Sequence, residues 1–205
     1  VFDRAVVDLR AAGATVLDTV MITELDSLRQ ATTGSCSRFK FDVESWIAST
    51  GGRTPLKTLD EIIKSGRFHP SIRPRLEQSQ AAELPPDRNP GCEANQRYRE
   101  GVRAAVLRVM DRLRLDALVY PTWSNPPRLI GDLNTPHGDN SQLFSPTTGW
   151  PAIQVPMGYT RGGLLPAGIT FFGRAWSEPT PIRLAYGYEQ ATHHRRPPAS
   201  VPPLR

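Results

Sequence analysis

Apolar residues recur every three or four positions in several stretches of the chain, a pattern typical of amphipathic helices. The predicted helices cover residues 1–12, 37–50, 58–64, about 75–82, 93–114 and 182–192. The third begins with Thr58 and has Glu61 three positions later, which fits a capping box. The buried face of the second is expected to carry Phe39, Val43, Trp46 and Ile47.

Short runs of β-branched and aromatic residues alternate with these helices and predict strands. The predicted strands cover residues 15–22, 116–120, 152–156 and 167–172. The last two are expected to pair antiparallel, because only a short connection with a Gly162-Gly163 turn separates them. Helices and strands in this order predict an α/β fold.

Composition places the chain among ordinary globular proteins. Its 205 residues are 39% hydrophobic and 22% charged, so residues 1–205 are predicted to form a single unit with its own core. Residues 193–205 form a basic, proline-rich tail, which we interpret as a solvated terminus.

Charge and cysteine content narrow the function classes. The net charge is +5, but the arginines are scattered among acids, which argues against nucleic acid as a partner. No apolar run approaches the roughly 18 residues of a membrane span, so no membrane partner is expected. Cys36 and Cys92 could form one disulfide, but two free thiols in a reducing compartment are the simpler interpretation, and the predicted location is cytoplasmic.

Motifs that carry self-contained chemistry are missing. The sequence has no G-x-S-x-G elbow, no H-E-x-x-H, no C-x-x-C and no phosphate-binding glycine loop.

One short match, Ser37-Arg38-Phe39-Lys40, has the S-x-x-K spacing in which lysine can act as a base for serine. With three lysines in the chain, such a match arises easily by chance, and no K-T-G accompanies it. Ser37 is equally well placed as a helix N-cap, so both interpretations stay open here.

Three segments together carry a family resemblance. They are LDALVYPTWSNPP (115–127), GDNSQLFSPTTGWPAIQVPMGYT (138–160) and LLPAGITFFGRAWSEPTPIRLAYGYEQAT (164–192). In this order they resemble the C-terminal part of amidase-signature enzymes, and the earlier residues from Phe2 agree with the segment that precedes it. The resemblance implies a mixed central sheet flanked by helices, incomplete in this chain.

The same resemblance implies a serine hydrolase of amide bonds whose nucleophile, bridging serine and lysine base lie upstream of the matching region. It also implies that the enzyme uses neither a metal nor an organic cofactor. No Gly-Gly-Ser-Ser stretch occurs here, and no lysine stands in the family's lysine context. No catalytic residue can therefore be assigned to this chain, which is expected to be inactive alone.

What the resemblance leaves to this chain is one wall of the substrate pocket. The candidate substrate-binding residues are Thr122, Trp123, Asp139, Gln142, Phe144 and Trp150. In the amidotransferase branch of the family, an aspartate in the place of Asp139 meets the substrate's ammonium group. The aromatic members suggest an apolar or aryl substrate, although Trp150 could equally be a core residue.

The expected function is thus that of the C-terminal portion of an amidase, whose parent hydrolyses a carboxamide to a carboxylic acid and ammonia. Its expected partners are a small amide substrate and the missing N-terminal half, and a homodimer is left open. The alternative is a non-catalytic interaction or regulatory protein built on a truncated amidase scaffold.

Overall fold

The computed structural model describes residues 1–31, 36–132, 134–136 and 138–197, so the last eight residues of the predicted tail lie outside it. The described residues form eight α-helices and three β-strands. These are α1 (Phe2–Ala11), α2 (Glu24–Ala31), α3 (Phe39–Ser49), α4 (Leu59–Ser65), α5 (Arg73–Gln80), α6 (Pro90–Arg112), β1 (Leu118–Pro121), α7 (Ser145–Thr148), β2 (Ala152–Thr160), β3 (Leu165–Phe172) and α8 (Pro179–Thr192).

The chain divides into two compact units. The first, here called the sheet unit, consists of Val1–Thr23 and Val102–Arg205. The second, the helical unit, is Glu24–Gly101. The boundary falls within α6, and the prediction that residues 1–205 are one portion of an amidase domain stays a prediction.

The sheet unit is built around β3, which pairs antiparallel with β1 on one side and β2 on the other. The predicted hairpin of the last two strands is confirmed. Its turn includes Gly162 and Gly163, whose φ angles of 67° and 92° lie in the region that favours glycine. The sheet register places Tyr120 of β1 and Gln154 of β2 on either side of Thr170.

One face of this sheet packs against α1 and α8. Because side chains alternate along a strand, Ile169 and Phe171 of β3 point to the same face, and both are fully buried. They join a core to which α1 and α8 both contribute. Its other buried members are Ala5, Leu9, Met157, Ala185 and Tyr188. In the described residues, every helix is too short or too polar to cross a bilayer.

The strand predicted at residues 15–22 is wrong. The chain there is irregular, although Ala14 and Val16 pack against the core of the sheet unit. Leu17 and Met21 are exposed, so the β-branched composition reflects partial burial against helices and strands rather than a place in a sheet.

The helix predicted at 37–50 is confirmed as α3, but its predicted buried face is wrong. Phe39 and Trp46 are 49% and 62% exposed, whereas Ile47 is buried. The inward side also carries two polar anchors. Lys40 Nζ donates to the carbonyls of Gln80 and Ala82, and Glu44 Oε1 accepts from the main-chain N–H of Leu59 at 3.0 Å.

The predicted N-cap of α4 is confirmed, but the reciprocal bond of a capping box is displaced by one residue, to Lys57. Thr58 Oγ1 accepts from the N–H of Glu61 at 3.1 Å, while Glu61 Oε2 accepts from the N–H of Lys57 at 2.6 Å. Gly66 then ends the helix with a φ of 65°. Residues next to the helix therefore determine both of its ends.

The expectation of two free thiols is wrong. Cys36 and Cys92 form a disulfide within the helical unit, with their Cα atoms 4.3 Å apart. Sequence spacing could not reveal this pair, because 56 positions separate the two cysteines.

Replacing Phe171 with alanine should lower the free energy of unfolding by about 3–5 kcal/mol, because the ring is lost from a fully packed core. Leu164→Ala is the matched control, since that side chain is 80% exposed and its loss should cost no more than about 0.5 kcal/mol. Urea unfolding followed by circular dichroism measures both. Equal costs would contradict the assignment of the core.

Candidate functional site

The predicted pocket residues begin where β1 ends. Thr122 is buried, and its main-chain N–H donates to the carbonyl of Gly168 at 2.8 Å. Its hydroxyl lies 2.8 Å from the hydroxyl of Thr170, which is also buried. Two separate motif segments, the one ending Tyr120-Pro121-Thr122 and the one holding Ala167-Gly168-Ile169-Thr170, therefore meet through this pair.

Gly168 lies next to the contact between Thr122 and Thr170. A Cβ atom at this position would lie 3.0 Å from Thr122 Oγ1, so the Thr122 hydroxyl would have to shift by a few tenths of an ångström. The glycine of the P-x-G motif therefore leaves room for the Thr122–Thr170 contact between β1 and β3.

The loop after β1 folds back on itself. Trp123 and Asp139 form an isolated antiparallel bridge. On either side of it, the N–H of Ser124 donates to the carbonyl of Gly138 at 2.7 Å, and the N–H of Asn140 donates to the carbonyl of Thr122 at 2.9 Å. The structure thus brings Thr122, Trp123 and Asp139 together at one end of the sheet.

Side-chain hydrogen bonds hold the same loop. The Asn140 amide donates to the carbonyl of Pro121 and to Ser124 Oγ, at 2.9 and 2.8 Å. Asp139 Oδ1 accepts from the N–H of Ser141 at 2.8 Å. Trp123 is 47% exposed, and Gln142 is exposed as well.

Phe144 and Trp150 occupy a different position, beneath the surface. Both are buried and pack on Phe172 of β3, with ring centroids 5.4 and 6.0 Å away. Tyr120 completes this aromatic cluster, edge-on to Phe144 at 5.6 Å. Trp150 therefore packs as a core residue. If Phe144 and Trp150 contribute to a pocket, they do so by supporting its wall from within the core.

Hydrogen bonds from two further residues hold the segment between Phe144 and Trp150. The sequence analysis did not identify either residue. Thr148 Oγ1 donates to the carbonyl of Phe144 at 2.8 Å and accepts from the N–H of Trp150 at 3.2 Å. Arg103 of α6 donates from Nε to the carbonyl of Thr148 at 2.8 Å. The one sequence signal was Gly149, which ends α7 with a φ of 74°.

Tyr120 was also missed. Its hydroxyl is buried and has no hydrogen-bond partner among the described residues. Burial raises the pKa of Tyr120 to about 12, because the charged phenolate would be desolvated.

The hydrolytic interpretation of Ser37 and Lys40 gains no support. Lys40 Nζ lies 3.4 Å from each of two main-chain carbonyls, those of Gln80 and Ala82, an arrangement that anchors α3 on the residues after α5. Ser37 precedes the helix, whose N-cap is Arg38. In the described part of the chain, these two side chains share no hydrogen bond, and no group of three or more metal-binding side chains occurs.

The Thr122–Thr170 pair should show strong energetic coupling. Thr122→Val leaves the Thr170 hydroxyl buried without its partner, which should cost about 1–3 kcal/mol of unfolding free energy. The double variant Thr122→Val/Thr170→Val removes both hydroxyls and should cost less than the sum of the single variants. Additive losses in urea unfolding would show that the hydroxyl contact contributes nothing.

Stability should also fall at high pH because of Tyr120. The unfolded tyrosine ionises near its ordinary pKa of 10.0, whereas burial raises the folded pKa to about 12. The unfolded state therefore loses its proton first, and the free energy of unfolding should decrease between about pH 10 and 12. Tyr120→Phe should reduce that decrease, whereas Tyr186→Phe, at a 63% exposed position, should leave it unchanged.

Known proteins resemble this chain over nearly its whole length. The family model described as Amidase matches residues 1–181. A probable amidase of Arabidopsis thaliana is 26% identical over 209 residues, covering 97% of this chain and 37% of the plant protein. The A-type subunit of the glutamyl-tRNA(Gln) amidotransferase of Synechococcus sp. (strain JA-3-3Ab) is 33% identical over 53% of this chain and 22% of its own length.

Solved structures of amidases also resemble this chain. The native peptide amidase of Stenotrophomonas maltophilia superposes with a TM-score of 0.71 at 28% identity, over 96% of this chain and 40% of that one. An amidase family protein from Bacillus anthracis str. Ames gives 0.70 at 25% identity, over 96% and 36%. This chain thus spans less than half the length of these relatives and has a partial amidase-signature fold. It belongs to the amidase family.

Proposed function

We propose that this chain is the C-terminal portion of an amidase-signature amidohydrolase, whose parent converts a carboxamide to a carboxylic acid and ammonia. The observation that carries the proposal is the match to the peptide amidase over 96% of this chain but only 40% of that protein. The serine nucleophile, bridging serine and lysine base would come from an N-terminal half. The relatives named above are enzymes, so they do not support the regulatory alternative.

The open edges of the sheet support the need for that N-terminal half. In the described residues, β1 and β2 each pair with β3 and with no further strand. An unpaired strand edge presents free main-chain donors and acceptors, which proteins normally cover. We propose that strands from the N-terminal half pair with these edges and complete the mixed sheet.

The pocket wall would be formed by the loop after β1, in which Trp123 is exposed and Asp139 is half-buried. Trp123 offers an aromatic surface, and Asp139, held beside it by the bridge, offers a carboxylate. Gln142 is exposed on the following segment, whereas Thr122, Phe144 and Trp150 lie beneath and fix the wall. An aryl or apolar amide would pack on Trp123, and a substrate with an ammonium group would pair with Asp139.

Location and further partners remain predictions. A cytoplasmic location is weakened by the Cys36–Cys92 disulfide, because such bonds persist mainly in oxidising compartments. The absence of a nucleic-acid or membrane partner and a homodimer remain predictions as well.

The chain alone should not hydrolyse amides. Purified residues 1–205, incubated with a p-nitroanilide and with an aliphatic amide, should release product no faster than buffer. A fluorophosphonate probe should leave Ser37 unlabelled, since Lys40 is held by main-chain carbonyls. Labelling of Ser37, or turnover that Ser37→Ala abolishes, would overturn the proposal.

The pocket wall can be tested in the parent enzyme, that is, this chain joined to its N-terminal half. Trp123→Ala should raise KM for an aryl amide by about tenfold, because the aromatic contact is lost. Asp139→Asn should raise KM by about tenfold or more for an amide carrying an ammonium group, and should leave a neutral amide unaffected. Trp176→Ala is the matched control, because Trp176 is 91% exposed at the turn before α8. Unchanged KM values in both loop variants would remove these residues from the site.

A further inference from the structure

The helical unit has little core of its own. Among its described residues, the buried apolar side chains are Ile47, Leu59, Leu76 and Ala94. Helix α2 buries no residue at all. Small domains that cannot build a large hydrophobic core often carry disulfides.

Surface ion pairs do not compensate for the small core of the helical unit. The pairs Arg38–Asp42, Lys64–Asp60 and Arg73–Glu77 each join residues four positions apart in a local helical segment. Their side chains are largely exposed, so they add little to stability and do not connect distant parts of the unit.

The disulfide connects parts of the helical unit that are distant in sequence. Cys36 lies three residues before α3, and Cys92 lies in the first turn of α6. The bond thus joins the start of α3 to the start of α6 across 56 positions. Asn89 anchors the α6 end, because its Oδ1 accepts from the N–H of Gly91 at 2.8 Å.

We propose that the Cys36–Cys92 disulfide is a redox-sensitive clamp, which keeps the helical unit folded when oxidised and lets it open when reduced. Both cysteines are partly exposed, so a reductant can reach the bond. The sulfur of Cys92 lies at the N-terminus of a 23-residue helix, a position that stabilises a thiolate and makes it a good leaving group. The proposal is independent of the function proposed for the parent enzyme.

The chemistry balances with a dithiol reductant. One reductant thiolate attacks Cys36 Sγ, the disulfide breaks, and Cys92 leaves as a thiolate. The second thiol of the reductant, as thiolate, then attacks the mixed disulfide and releases Cys36. The protein gains two electrons and two protons, and the reductant becomes an intramolecular disulfide.

Limited trypsin digestion of the full 205-residue chain tests the clamp, with dithiothreitol as the dithiol. Cleavage within residues 24–101 should be slow in the oxidised protein and at least about tenfold faster after reduction, because the cross-link restricts the open state. Cleavage within residues 102–192 should keep its rate. Removal of the reductant in air should restore slow cleavage. Mass spectrometry locates the cut sites.

Cys36→Ser/Cys92→Ser provides the control, since it should be cleaved rapidly within residues 24–101 whether or not dithiothreitol is present. Maleimide labelling of the denatured, unreduced protein should add no label, and labelling after reduction should add two. Two labels without reduction would overturn the proposal, because the bond would then not form. An unchanged cleavage rate after complete reduction would overturn it as well.

Discussion

The sheet unit depends on the fact that β3 is paired on both sides. A strand held in register by two neighbours cannot rotate, so its alternate side chains are committed to opposite faces. Ile169 and Phe171 must then fill the core under α1 and α8, while Thr170 and Phe172 must face the loop that follows β1. β3 therefore contributes to the core of the sheet unit on one face and packs beneath the loop that follows β1 on the other.

The motifs that carried the family resemblance owe their spacing to this arrangement. Thr122 is far in sequence from Gly168 and Thr170 but contacts both across the β1–β3 pair. Arg174, which ends the motif after β3, donates to Asp111 Oδ1 at 2.5 Å and so ties the end of α6 to the sheet. These motif residues therefore make contacts between elements of the sheet unit.

The sequence predicted features that depend on neighbouring residues, and it did not predict features that depend on contacts formed only in the folded chain. The cap of α4 and the β2–β3 hairpin depend on neighbouring residues, and both were predicted. The buried face of α3 was mispredicted, since Phe39 and Trp46 are exposed. The polar Glu44 side chain instead accepts from the N–H of Leu59, a contact that no hydrophobic pattern encodes. The disulfide was missed for the same reason, since its partners meet only after folding.

The segment proposed as the pocket wall is held by hydrogen bonds within this chain. Main-chain hydrogen bonds pair Ser124 with Gly138 and Asn140 with Thr122, so the bridge between Trp123 and Asp139 is fixed without any contribution from a substrate. Underneath, Phe144 and Trp150 are packed on β3 rather than free to swing outward. If this segment forms the proposed pocket wall, substrate binding would not have to offset the entropy of ordering it.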